Sequence, residues 1–306
     1  MSLNANSAER MRRRAFLKYL GVAGATFTAG RDLGVAASAS PAAPPELAQH
    51  KIDRIDFVQA KYHWPRLVGK NARSPTVHGQ HMSCTVVKLY TDQGAMGWGL
   101  TRGSARPAAA SLQGKKVSDL IHPARGILDL EHHPFDFALH DLAGMILSKP
   151  VYQLLGAHGP TEMPVYSGMI YFDELEPPEQ PAGIAKVLEN CRWDLDYGYR
   201  QVKVKIGRGN RWYPREEGLK ADIQVVNQIQ EAFSDRDVVI LVDANDGYTF
   251  DDTVRFLDGI GDTPLFWFEE PFREERSQSG RLHTWMNANG FEKTFLADGE
   301  QDPDPA

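Results

Sequence analysis

The stretch Gln201-Val202-Lys203-Val204-Lys205-Ile206 alternates between apolar and charged side chains with period two. It therefore reads as a β-strand with both lysines on one face and Val202, Val204 and Ile206 on the other. In a half-solvated antiparallel strand the lysines would simply face water. In a strand whose apolar face is covered by helices they turn inward, where burying two ammonium groups is costly unless anions meet them. Later apolar runs supply such anions: residues 238–242 lead into Asp243, residues 265–268 into Glu269, and residues 294–297 into Asp298 and Glu300.

Working outward, the strand candidates 163–167, 201–206, 238–242, 265–268 and 294–297 alternate with helical segments, the pattern of a parallel sheet built from strand-helix units. Between the second and third, Leu219, Ile223, Val226, Ile229 and Phe233 recur at spacings of three and four, a stripe that would cover the outer face of the sheet. The expected class is α/β: a small α+β region followed by a (β/α) barrel of the TIM type. In such a barrel the strand ends converge on one rim, where active sites lie. Carboxylates gathered there repel one another, and a hard divalent cation relieves the repulsion through oxygen ligands. Magnesium suits these positions better than zinc, because no histidine or cysteine accompanies them. Any one of the acids also reads as a solvated strand end or helix cap; their succession after the lysine pair favours a site.

Upstream, residues 85–91, the turn Asp92-Gln93-Gly94 and residues 95–99 read as a hairpin. Phe135, Leu139, Leu142 and Ile146 mark a helix that Lys149-Pro150 ends. Residues 40–50 are proline-rich and read as a linker, with folding expected to start near Lys51. Before them, Arg12-Arg13-Arg14 precedes Phe16-Leu17-Lys18, a weakly apolar stretch and Ala37-Ser38-Ala39. Residues 1–39 therefore read as a twin-arginine signal peptide, an address rather than a membrane anchor, with export to the periplasm expected. A basic amphipathic helix on a membrane surface is the alternative, which Gly21, Gly24 and Gly30 weaken. This segment carries a net charge of +4 against −6 for the chain, leaving −10 for the remainder. Such acidity argues against nucleic acid as a partner. Cys84 and Cys191 are expected to be free thiols.

The ordered series Lys203-Val204-Lys205, Val242-Asp243-Ala244-Asn245, Phe268-Glu269-Glu270-Pro271 and Asp298-Gly299-Glu300 resembles the mandelate racemase and muconate lactonizing branch of the enolase superfamily. Residues 92–99 are similar to its capping-domain hairpin, and residues 138–142 and 149–156 to its domain-joining helix and adjoining loop. The resemblance spans roughly residues 51–306. It implies an N-terminal α+β capping domain over residues 51–160 and a barrel domain over 161–306. It also implies that Asp243, Glu269 and Glu300 bind magnesium, that Lys205 is the base and that Lys203 assists it by charge. Glu300 is preferred to Asp298 as third ligand because relatives with Gly-Glu at this point use the glutamate. Asn245 and Glu270 would orient the ligands. His63, Trp64 and His78 read either as capping loops that shape specificity or as ordinary exposed loop residues.

The implied chemistry is removal of the proton beside a carboxylate through an enediolate, whose second negative charge magnesium stabilises where it develops. Loss of a β-hydroxyl then gives dehydration, reprotonation from the opposite face gives racemisation or epimerisation, and ring opening or closure gives cycloisomerisation. Dehydration of an acid sugar is the first expectation. A small carboxylate is thus the expected partner, and a homo-oligomer the expected assembly of a complete protein. An eight-stranded barrel needs three strands more than the five found here, so this chain is expected to be a partial barrel that does not turn over by itself. The rival reading is a non-catalytic relative used as a binding module.

Overall fold

The computed structural model describes residues 43–101, 105–157, 159–273 and 276–298. The leader read at 1–39 lies outside the described residues, as do Gly299 and Glu300. Among the described residues no helix is long and apolar enough to cross a membrane.

Three strands, β1 (Ile52–Val68), β2 (Gly79–Thr91) and β3 (Met96–Leu100), form an antiparallel sheet in chain order. Gly94 turns the second hairpin at φ 82°, a backbone geometry that glycine takes without strain. Helix α1 (Asp136–Leu147) lies against β3 at a close approach: a Cβ on Gly97 would sit 2.6 Å from that of Leu142. Val87 and Leu89 of the sheet and Leu139 and Leu142 of the helix share one core. That core also takes Leu47, because Pro45–Gln49 forms a single helical turn inside the stretch expected to be a linker. Proline is well placed at the first helical position, so ordered packing begins before Lys51. The first strand is also far longer than its apolar start suggests, at 17 residues. His63 and Trp64 therefore stand on a strand, where capping loops or exposed loops had been expected.

A separate parallel sheet is formed by β4 (Ser167–Ile170), β5 (Gln201–Lys205), β6 (Val239–Asp243), β7 (Leu265–Glu269) and β8 (Phe295–Ala297). Each strand pairs with the next in the chain, without a reversal of order. That is singly wound topology, which leaves one face to the helices and the other facing inward. Helices α2 (Ile184–Tyr197), α3 (Arg215–Ala232), α4 (Phe250–Ile260) and α5 (Arg276–Ala288) connect the strands. Val202, Val204, Ile240, Val242 and Phe268 pack with Val187, Val226, Ile229 and Phe256 in one core. The α3 stripe is buried at Leu219, Val226, Ile229 and Phe233 and partly buried at Ile223, as its spacing implies.

One strand begins later than expected. Residues 163–166 precede β4, and Met163 and Val165 are 67% and 64% exposed. Pairing with β5 starts only at Ser167, opposite Val202. Pro164 brings no N–H to a ladder, and apolar residues at 163 and 165 imitate a strand period without a neighbour to pair with.

Candidate active site

Lys205 pairs with Asp243, and Asp243 with Glu269. Each is the last residue of its strand, so a lysine and two acids stand in one row across β5, β6 and β7. Lys203 lies two residues deeper on the same face. Both lysines are buried, at 9% and 6% exposure, so the water-facing reading of this strand is excluded and the anions are present.

Lys203 Nζ donates to Glu269 Oε1 at 2.6 Å and lies 3.0 Å from Asp243 Oδ2. Lys205 Nζ donates to the same Asp243 oxygen at 2.5 Å. The other Asp243 oxygen accepts from the backbone N–H of Asn245 at 2.9 Å. Asn245 Nδ2 in turn donates to Glu270 Oε2 at 3.0 Å. Asn245 and Glu270 have φ of 44° and 42°, which turns the chain sharply just past each acid. Asn245 thus bonds Asp243 through its backbone and Glu270 through its side chain. Asp298 comes directly after β8 and is exposed, whereas the preferred third acid, Glu300, lies outside the described residues.

These contacts set the charge of the row. Burial pulls the Lys203 ammonium towards neutrality, but Asp243 and Glu269 outweigh it and raise its pKa. Burial alone would raise the Asp243 carboxyl, yet Lys205 and Lys203 hold it below the usual carboxylate range. Glu269 is pushed up, first by burial and then by repulsion from Asp243, despite its bond to Lys203.

Sequence reasoning missed the residues that hold this row in place. Arg208, just beyond β5, is fully buried and donates through Nε to Glu174 and through one terminal nitrogen to Asp222, both at 2.6 Å. It also donates to the carbonyl of Lys205 at 3.1 Å. Asp222 accepts further bonds from the N–H groups of Gly207 and Arg208 and from the Tyr248 hydroxyl. A trace was present in the sequence, for Asp222 interrupts the apolar stripe of α3 at a buried position. Two rings were missed as well: Tyr166 lies under the Lys203 ammonium and Tyr171 under that of Lys205, at 5.6 and 5.2 Å. His78, expected on a loop, packs its ring on Tyr171 at 4.9 Å.

The loop between β1 and β2 reaches the same strand ends. The carbonyls of Asn71 and Ala72 accept from Trp212 Nε1 and Asn210 Nδ2. Arg66 donates to the carbonyl of Met169 at 2.7 Å and to Asp194 at 2.6 Å. Beside it Asp173 is buried with its carboxyl accepting from Asn190 Nδ2 at 2.5 Å. Burial raises that carboxyl from 3.8 to about 6, more than Arg66 lowers it. Folding therefore favours the protonated form: the contribution to stability is full below pH 3.8 and is lost as pH rises through about 6. Asp173→Asn removes the buried charge and should stabilise the protein by about 2 kcal/mol at pH 7.5, with little change at pH 4. Urea unfolding at the two pH values is the check, and an equal effect at both would contradict the assignment.

The described residues hold no group of three His, Cys, Asp or Glu side chains arranged for a metal. The donor chemistry nevertheless fits magnesium. Asp243 and Glu269 offer only carboxylate oxygens, the hard donors this ion takes, and an ammonium already sits between them as a cation. Charge counting points the same way. A lysine must shed its proton before accepting one, which would leave Lys203 facing two carboxylates, and a dication closes that deficit.

The family model for the enolase C-terminal domain-like fold matches residues 186–288, the segment that carries Lys203, Lys205, Asp243 and Glu269. A galacturonate dehydratase from Geobacillus sp., solved with D-galacturonate and 5-keto-4-deoxy-D-galacturonate, superposes over 84% of this chain and 68% of its own, at TM-score 0.75 and 28% identity. Over these residues and in fold, the chain is similar to the mandelate racemase branch of the enolase superfamily. Among curated members of that superfamily, 3,6-anhydro-alpha-L-galactonate cycloisomerase of Streptomyces coelicolor is 32% identical over 44% of this chain and 33% of its own length. D-galactarolactone cycloisomerase of Agrobacterium fabrum is 26% identical over 62% of the chain and 52% of its own. The chain thus spans between a third and about half of these superfamily relatives.

Proposed function

We propose that this protein abstracts the proton beside the carboxylate of an acid sugar, with Lys205 as the base. The observation that carries the reading is the row of Lys205, Asp243 and Glu269 at paired strand ends. Asp243 and Glu269, with Glu300, would hold magnesium, and Asn245 and Glu270 would keep those carboxylates oriented. When bound, the ion supplies positive charge to the substrate carboxylate as the enediolate develops. Lys205 accepts the proton at Nζ. Lys203 stays protonated between Asp243 and Glu269, so the acids remain neutralised deeper in the site. Tyr171, held by His78, covers Lys205 and limits the approach of water on that side.

Acid sugars are favoured because dehydratases and cycloisomerases of such compounds recur among the relatives. Once the proton is removed, elimination of a β-hydroxyl is the first reading of the next step. Cycloisomerisation is the second, supported by the two cycloisomerases named above. In architectural terms the parallel sheet is read as part of a (β/α) barrel and the antiparallel sheet with its helix as the cap. Export by the twin-arginine route is read from Arg12 to Lys18, and cell fractionation tests it: protein confined to the cytoplasm would refute export.

The function is tested by incubating a protein in which the barrel is complete with magnesium and a panel of aldonic, aldaric and uronic acids in deuterium oxide. Exchange of the proton next to the carboxylate of at least one of them is expected. A folded, magnesium-loaded protein that exchanges none would favour the binding-module reading.

A further inference from the structure

Beyond the reach of β3 the first hairpin stands as a two-stranded ribbon, because β3 pairs only with residues 86–90 of β2. On this ribbon His63 and His81 lie directly opposite one another. Both are exposed, and their ring centroids are 6.3 Å apart at 78°. Side chains so paired have Cβ atoms about 4.5–5.5 Å apart, and an imidazole nitrogen binds zinc at about 2.0–2.1 Å. Two rings at this separation therefore converge on one ion by side-chain rotation alone, and exposure leaves them free to rotate. The adjacent pair on the same face is Lys61 and Ser83, so no carboxylate enters the donor set.

We propose that His63 and His81 form a two-imidazole site for a divalent transition-metal ion, completed by water and separate from the carboxylate row. Nitrogen donors without carboxylates select borderline metals, with copper(II) binding ahead of nickel(II) and zinc(II). Magnesium, which demands oxygen ligands, does not compete there. The position gives the site a mechanical role. The pairing register shifts between His63 and Val68, and Arg66, within that irregular stretch, reaches across to Met169 and Asp194. An ion bridging His63 and His81 staples the two strands at the last regular pair before the shift. It thereby steadies the ribbon from which the loop carrying Asn71, Ala72 and His78 reaches the active-site row.

The test is calorimetric titration of the protein with copper(II) in excess magnesium, paired with electron paramagnetic resonance of the bound copper. Because both histidines are exposed, alanine variants should fold. The expected result is one equivalent bound with two imidazole nitrogens on the copper, a loss of affinity of at least tenfold in His63→Ala and in His81→Ala, and no change in His283→Ala, an exposed histidine elsewhere. Hydrogen exchange over residues 59–63 and 81–85 should slow with copper in the wild type only. Wild-type stoichiometry and affinity in the double variant would show adventitious binding only and overturn the proposal, as would a spectrum with a single nitrogen.

Discussion

In a protein with the barrel complete, Lys205→Ala should lower the exchange of the substrate α-proton by about 10²–10⁴-fold, the usual loss when a positioned base is removed. Magnesium affinity should hold or rise in the same variant. Lys205 donates to Asp243 in the absence of metal, so its ammonium competes with the ion for that oxygen, and alanine removes the competitor. Lys205→Arg separates the two roles of the side chain. Its guanidinium keeps the positive charge next to Asp243 yet cannot be deprotonated to accept a proton, so exchange should fall as far as in the alanine variant. If the arginine variant retained exchange, Lys205 would act by charge and the base would be another group. Proton exchange measured by NMR, with calorimetry for the metal, supplies both readouts.

Asp222→Ala should destabilise the protein by about 3–5 kcal/mol, the cost of leaving a buried charge without its partner. Asp222 is fully buried and receives Arg208, two backbone N–H groups and the Tyr248 hydroxyl. Its loss strands all of these, and Glu174 alone is left to neutralise Arg208. Because Arg208 also holds the Lys205 carbonyl, the same change should loosen the end of β5 and slow exchange in whatever protein remains folded. Asp222→Asn should cost less, since an amide oxygen can still accept the backbone bonds. Urea unfolding of the three proteins is the measurement. A shift below 1 kcal/mol for the alanine variant would mean that the cluster does not hold the strand end.

How far the sequence discloses this arrangement depends on the kind of contact involved. The lysines and acids were legible because period-two alternation and strand-end position are local properties, and the parallel register then aligns them: Lys205 with Asp243, Asp243 with Glu269. The clamp on Arg208 was not legible. Glu174, Asp222 and Tyr248 come from three separate elements, and nothing local distinguishes a buried arginine from a solvated one. The start of β4 was misread because Met163 and Val165 mimic a strand on a stretch left exposed. The helical turn at Pro45–Gln49 was hidden for the opposite reason: a proline-rich composition suggests a linker, and only the packing of Leu47 into a distant core shows otherwise.

We propose that Asp243 and Glu269, completed by Glu300, hold magnesium beside Lys205. Soaking crystals of the protein with manganese, a stand-in with the same oxygen preference, and locating the ion by its anomalous scattering tests this. The expected result is a single strong peak within coordination distance of all three carboxylates, lost in Glu269→Gln. A peak at a position lacking both Asp243 and Glu269 would contradict the assignment.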